Sequence, residues 1–392
     1  MNIVLFAHPL FIGHASMPRY TQWLVDGMTA RGHRVQVWMP EPHVHNLPVP
    51  TRFKKWMGYI DQYLLFPRWV RRHMAAQPAD TLYVFSDHAL GPWVPLAAAQ
   101  PHVIHCHDLL AQQSALGQVP QNPVSATGRV YQRYIRSGYT QGRVFIAISR
   151  KTEQELRTFI GPAPESHVVY NGVNPRFHPA ADIEGQRAAL GRQLGIDLSR
   201  GFVLHVGVNT WYKNRPGVLE IYDRWRHGAP AEALPLLMVG PPPPPALAER
   251  HAASPNAADV HFLTGISDEV LVALYGVATV FLFPSIAEGF GWPIAEAMAA
   301  GCPVITTDAA PMTEVAGEAG FYIPPMDAPM SGGASWASRS AEVLDQVVAL
   351  SPEARRDAIA HGFEQVRRFD SEAALDRIEA IYRKTLAAQS AT

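Results

Sequence analysis

Two carboxylates frame a glycine bend late in the chain. Glu288 and Glu296 stand eight positions apart in Glu288-Gly289-Phe290-Gly291-Trp292-Pro293-Ile294-Ala295-Glu296, between the apolar runs Val280 to Phe283 and Val304 to Thr306. Gly289 and Gly291 allow close approach to the backbone, and Pro293 suits the opening of a helix that Gly301 and Pro303 close. The pattern predicts strand, glycine loop, a helix over Pro293 to Ala300 with Glu296 in its first turn, then strand. Backbone N–H groups at such a helix end favour anionic or oxygen-rich ligands. Acidic groups beside them would repel phosphate unless they accept from hydroxyls, so the set points to a polyhydroxylated ligand carrying phosphate. Taken alone, Glu296 has a second reading as a complement to the helix dipole, worth ~0.3–1 kcal/mol.

A cation and two imidazoles extend the set. Lys213 lies in the segment His205 to Arg215, just after the run Phe202 to Val206, where an ammonium can stabilise charge developing on a leaving group. The alternative is an exposed loop lysine. His107 ends the run Val103 to Asp108, and ligand-facing side chains belong at strand ends in open α/β sheets. Strand alternation puts His105 on the same face, half of a metal site with no third ligand in evidence; an internally bonded histidine is the other reading. The first strand-to-helix loop, Pro9 to His14, has Gly13 as its one glycine. The fuller G-x-G-x-x-G fingerprint is missing, so a nicotinamide dehydrogenase lacks its usual basis.

These residues need a frame, and the hydropathy pattern supplies one. Short β-rich runs alternate with longer helical patterns throughout. Strands are predicted at 3–7, 35–39, 81–85, 103–106, 144–148 and 167–170, then at 202–206, 236–239, 260–263, 280–283, 304–306 and 321–323. The turn-rich segment Asn171 to Pro179 separates the two series. The fold class is therefore α/β, with two Rossmann-like doubly wound domains expected to face each other across a cleft. The expected bounds are 1–175, 176–370 and a C-terminal helix over 371–392 packing back on the first domain. Pro241 to Pro245 reads as a stiff extended loop.

The chain of 392 residues is 47% hydrophobic and 17% charged, with a net charge of −1, which excludes both a disordered chain and a strongly basic nucleic-acid binder. The charge is unevenly spread: residues 1–180 carry +8 and the remainder −9. Cys106 and Cys302 support neither a disulfide framework nor a cysteine zinc site, and a reducing cytoplasm fits. The first residues lack a signal-peptide pattern and no run is long enough to span a bilayer. Residues 52–73 interleave Arg52, Lys54, Lys55, Arg68, Arg71 and Arg72 with Phe53, Trp56, Tyr59, Tyr63, Phe66 and Trp69. Such a stretch suits peripheral contact with an anionic cytoplasmic leaflet; aromatic packing against the sheet, with Pro67 breaking the helix, is the alternative. Arg129, Arg133, Arg136 and Arg143 around Tyr131, Tyr134 and Tyr139 form a second basic stretch, either an acceptor groove or a solvated helix face.

The segment EGFGWPIAE, followed by AMAAGCPV, resembles the signature of family 4 retaining glycosyltransferases with the GT-B fold. NGVNPRF, Thr264 to Glu269 and Pro284-Ser285 match in order and spacing, so the resemblance covers nearly the whole chain. It implies transfer of a sugar from a nucleotide-sugar to an acceptor hydroxyl, with retention and no required metal or other cofactor. Glu288 would hold donor-sugar hydroxyls, the backbone of Gly289, Phe290, Gly291 and Trp292 would position sugar and phosphates, and Glu296 would grip the ribose diol. Lys213 resembles the lysine that neutralises the leaving diphosphate, His107 the histidine near the reacting centre, and Gly13 a glycine near the phosphates. The family commonly has Arg directly after the glycine equivalent to Gly207; here Val208 stands there, with Asn209 or Arg215 as substitutes. The acceptor would be a polysaccharide, lipid-linked glycan or glycolipid. A non-catalytic nucleotide-sugar-binding scaffold and a nucleotide-sugar epimerase are the other functions open to this sequence.

Overall fold

The computed structural model describes residues 1–13, 16–228, 234–327 and 335–390. Among the described residues, twelve strands form two six-stranded sheets. The first holds β1 (Asn2–Phe6), β2 (Arg34–Trp38), β3 (Thr81–Phe85), β4 (His102–Cys106), β5 (Val144–Ala147) and β6 (Glu165–Val168). The second holds β7 (Val203–Val206), β8 (Leu236–Val239), β9 (Val260–Leu263), β10 (Val280–Phe283), β11 (Val304–Thr307) and β12 (Gly320–Ile323). The strand pairs are parallel. Central strands such as β3, β4 and β10 are buried at every residue, as expected of parallel strands with helices over both faces. That is why continuous apolar runs mark them. The edge strand β6 lies two residues earlier than the predicted run, because the exposed Glu165 opens its pairing with β5 and carries no apolar signal.

Strand order decides where a ligand belongs. The orders are β2-β1-β3-β4-β5-β6 and β12-β11-β10-β7-β8-β9, the second being the Rossmann arrangement. The winding direction reverses between β1 and β3 in one sheet and between β7 and β10 in the other. Crevices for ligands open beyond the carboxyl ends of strands at such reversals. Each sheet carries its own core, one containing Phe6, Phe85, Trp93 and Phe145, the other Tyr222, Trp225, Leu282 and Leu344.

By contacts, the chain divides into Met1–Tyr170 with Glu372–Thr392, and Asn171–Ser371. Asn171 to Pro175 falls with the second unit, where Val173 N–H donates to the Phe369 carbonyl at 2.9 Å. The helix Ser371–Ser390 lies mostly in the first unit. Leu375 fills the space beside Gly27, where a Cβ would sit 2.5 Å from it, and Arg31 pairs with Asp376 at 2.6 Å. Pro67 does not break the helical path from Thr51 to Met74. A π-helical turn over Asp61–Leu65 precedes it and absorbs the backbone bond that a proline cannot donate.

Candidate functional site

At the reversal between β7 and β10, the two following loops are laced together. After β7, the turn Trp211–Lys213 ends at Asn214, whose backbone is left-handed (φ 50°). Asn214 is buried; its amide donates to the Pro284 carbonyl at 3.1 Å and its Oδ1 accepts from Gly217 N–H at 3.2 Å. From the other side, Ile286 N–H donates to the Tyr212 carbonyl at 2.8 Å. These bonds fix the register of the loops and bring Lys213 Nζ to 2.7 Å from Glu288 Oε1. Ser285 Oγ donates to the same oxygen at 2.6 Å, and the ammonium also lies 4.8 Å from the centroid of the Phe283 ring. Glu288 is buried and Lys213 only slightly exposed, so the carboxylate needs the ammonium: a lone buried charge is costly.

The glycine bend follows. Gly291 adopts φ 100°, a conformation that side chains other than glycine rarely take, and caps the helix Trp292–Ala299. The helix begins one residue before the predicted start, with Pro293 in its second position. Glu296 consequently lies in the second turn, not the first, and is buried. A carboxylate there gains little from the N-terminal dipole, which fades within the first turn, so the dipole reading weakens. Phe290 packs edge-on against Phe369, anchoring the bend to the end of the second unit.

The first sheet has a matching pair at its own reversal. β1 and β3 pair with Phe6 opposite Phe85, which sets His8 and Asp87 level beyond the strand ends. His8 Nε2 donates to Asp87 Oδ2 at 2.9 Å, and His88 Nδ1 lies 2.8 Å from the other oxygen. Burial works against the Asp87 charge, but the His88 and His8 imidazoles hold its carboxyl well below the usual range. Sequence reasoning missed Asp87 and His8, because their proximity depends on β1 lying beside β3, which no spacing reveals. His107, beyond β4, is buried, donates from Nε2 to the Ser86 carbonyl at 2.9 Å and sits edge-on to Tyr20. Burial lowers its pKa, with Asp87 and the Ser86 carbonyl opposing, so it is neutral near pH 7.

His105 is not half of a metal site. Its Nδ1 meets the Tyr20 hydroxyl at 2.8 Å and its Nε2 the Tyr382 hydroxyl at 2.7 Å, which occupies both nitrogens. Among the described residues, no cluster of three or more His, Cys, Asp or Glu is arranged to hold a metal. Gly13, at φ 73°, closes the turn Leu10–Ile12, with open space where a Cβ would point.

Residues 17–177 match the model of Glycosyltransferase Family 4, and residues 201–334 match that of Glycosyl transferases group 1. The chain belongs to the family 4 type of GT-B glycosyltransferases. It is 35% identical over 114 residues to O-antigen chain mannosyltransferase B of Escherichia coli, an alignment spanning 29% of this chain and 27% of that protein. It is 25% identical over 378 residues to the phosphatidyl-myo-inositol mannosyltransferase of Mycobacterium leprae, spanning 92% and 90% of the two chains. Its fold is that of Anabaena HepE, solved in complex with UDP, at a TM-score of 0.70 and 17% identity over 98% of this chain and 100% of that one.

In this glycosyltransferase Val208 is 44% exposed, and the two residues offered in its place turn to the proline loop. Asn209 donates to the Pro242 carbonyl at 2.7 Å; Arg215 donates to Asn209 Oδ1 and to the Pro241 carbonyl. The loops touch backbone to backbone: a Cβ on Gly240 would lie 2.1 Å from the Gly207 carbonyl oxygen. The run of prolines is extended at Pro244, and Pro245 opens the helix Pro245–Ala252. Elsewhere on the glycosyltransferase, Trp56 is 60% exposed, with Phe53, Leu64 and Trp69 also exposed among Arg52, Lys55, Arg68, Arg71 and Arg72. Tyr59 and Tyr63 of this stretch instead pack on Tyr131, the two hydroxyls of Tyr63 and Tyr131 meeting at 2.6 Å. No helix among the described residues is long and apolar enough to cross a membrane.

Proposed function

We propose that this glycosyltransferase moves a sugar from a nucleotide-sugar to a hydroxyl of a polysaccharide, lipid-linked glycan or glycolipid, with retention at the anomeric carbon and without a metal. The reading rests on the Lys213–Glu288 ion pair beside a glycine bend at the reversal of the second sheet. Glu288 accepts from donor-sugar hydroxyls, Glu296 from the ribose diol, and the N–H groups of Gly289 to Trp292 position sugar and phosphates. Lys213 offsets the charge left on the diphosphate, a task that a metal would otherwise perform. Glu288 is engaged by both Lys213 and Ser285, which suits a positioning group better than a nucleophile. The acceptor oxygen attacks on the face from which the phosphate leaves. The bond from the anomeric carbon to the phosphate oxygen breaks, the new glycosidic bond forms, and the acceptor proton passes to the departing phosphate. By the family resemblance, His107 is the candidate for a contact with the transferred sugar.

The UDP complex of the HepE relative supports a nucleotide donor, and the relatives' names support glycan or lipid acceptors. Screening nucleoside diphosphates and nucleotide-sugars by thermal shift should reveal a stabilising donor, since binding to the folded state raises Tm. Product formed from that donor should keep its anomeric configuration by NMR and form equally in chelator. Failure of every nucleotide to stabilise the chain, or an inverted product, defeats the reading. Binding without transfer to any acceptor would favour the scaffold, and a rearranged donor in the absence of acceptor would favour the epimerase.

The same reading places the exposed cations and rings of residues 52–73 against the anionic inner leaflet, the protein being otherwise cytoplasmic. Anionic vesicles should carry the protein upward in a flotation gradient at low salt and release it at about 0.5 M salt, where charge screening is within a few ångströms. Equal flotation with neutral vesicles, or none with anionic ones, removes the membrane contact.

A further inference from the structure

Beyond the carboxyl end of β2, within the first unit, lies a cavity of about 690 Å³, inside the ~300–1,000 Å³ range of small-molecule sites. Trp38 ends β2 and lines it, with Leu10 and Phe11 from the loop after the neighbouring β1 and Leu65, Phe66 and Trp69 from the helical path Thr51 to Met74. Trp69 meets Trp38 edge-on at 5.1 Å and stacks on Phe66 at 5.9 Å, which fixes an aromatic wall. The π-helical turn Asp61–Leu65 supplies two of the lining residues, and such turns are frequent at functional sites.

Only three of the lining side chains titrate, and each is already engaged. Glu41 and His43 are exposed and 3.6 Å apart. Asp61 is buried, and its two oxygens accept from the Val44 and His45 N–H groups at 2.8 Å each. A sugar or a nucleotide calls for convergent polar side chains, which this lining does not supply. The occupant must be apolar. Leu10 is 66% exposed and Trp69 40%, so the apolar lining continues onto the surface, where Leu64 is exposed as well. Arg68, Arg71 and Arg72 stand exposed on the helix of Trp69, Arg72 one turn beyond it. An apolar cavity beside a row of cations matches a molecule with a long chain and a negative head.

We propose that this cavity takes the hydrocarbon chain of an anionic lipid, its head lying at Arg68, Arg71 and Arg72. As an acceptor site it rests on the proposed function, and it narrows the acceptor to one that carries a lipid chain, leaving out the free polysaccharide. Calorimetry with octyl, decyl and dodecyl phosphate, each below its micelle concentration, tests this without a membrane. Each methylene that enters the cavity should tighten binding about fourfold, so two carbons give roughly tenfold in Kd. Leu65→Trp, which fills the cavity, should flatten the series. Leu10→Asn, at an exposed lining position, should weaken dodecyl phosphate about tenfold and remains informative if Leu65→Trp fails to fold. Trp56→Ser, outside the lining, should leave the series intact. A Kd independent of chain length, or a series that survives in both lining variants, overturns the proposal; where a nucleotide still raises the Tm, the donor reading stands and a polysaccharide acceptor is favoured. A full chain-length series in a protein that no nucleotide stabilises defeats the transfer reading and keeps the cavity's ligand.

Discussion

Lys213→Ala is expected to lower kcat/KM for sugar transfer by about 10²–10³-fold, the range seen when one group that stabilises transition-state charge is removed. The loss should fall mainly on kcat, because charge on the diphosphate grows as its bond to the sugar breaks. The variant should also be less stable. Lys213 Nζ and Glu288 Oε1 are 2.7 Å apart, the carboxylate buried and the ammonium slightly exposed, so removing the ammonium leaves a buried carboxylate uncompensated, at a cost of up to about 3–5 kcal/mol. The two effects can be separated. Combining Lys213→Met with Glu288→Gln removes both charges and should recover much of the Tm without restoring transfer, a coupling that a double-mutant cycle reads directly. Wild-type kcat/KM in Lys213→Ala, with the chain folded, would refute the role given to the lysine.

Acid is expected to destabilise each unit through one histidine. Burial lowers the pKa of His105 to about 3, with His107 adding to the shift, and burial lowers that of His205 to about 3, with Arg215 and Lys213 adding and the Leu282 carbonyl opposing. Unfolded, each would titrate near 6.5, so below that pH the unfolded chain binds more protons than the folded one. The stability each contributes is complete above about pH 6.5 and declines as pH falls toward 3, by about 1.4 kcal/mol per unit. Between pH 6.5 and 4.5 that is about 2–3 kcal/mol for each unit of the chain. Asp87, held below its usual range, acts in the same direction at still lower pH; His88, held above its own by Cys106 and Asp87 against its burial, acts oppositely, its contribution being lost as pH rises. Urea unfolding of His105→Gln and His205→Gln should give shallower acid slopes than the wild type. Slopes parallel to the wild type would show that these imidazoles are not held neutral.

The legible parts of this molecule are those that local chemistry specifies. β8 and β10 lie where continuous apolar runs placed them, since a strand buried on both faces has few alternatives to Val, Ile, Leu and Phe. The bend at Gly291 was visible because its backbone conformation is a glycine conformation. Glu296 was placed a turn too early because one residue, Trp292, enters the helix ahead of Pro293, a boundary that propensity does not resolve. Pro67 misled for a related reason: a π-turn accommodated it, and such turns have no sequence period of their own. Asn209 and Arg215 were singled out by the absence of a cation at 208, but their partners on the proline loop depend on β7 lying beside β8.

Composition, hydropathy period and glycine placement alone determined that this is an α/β chain of two strand series with a turn between them and a carboxylate-flanked bend in the second. Only the tertiary structure decided which loops become neighbours. Side-chain alternation and helix propensity act over a few residues, whereas the order of strands in a sheet is settled by how crossover helices pack on its faces. That order, reversing once in each sheet, set Lys213 against Glu288 across 75 positions of chain and His8 against Asp87 across 79.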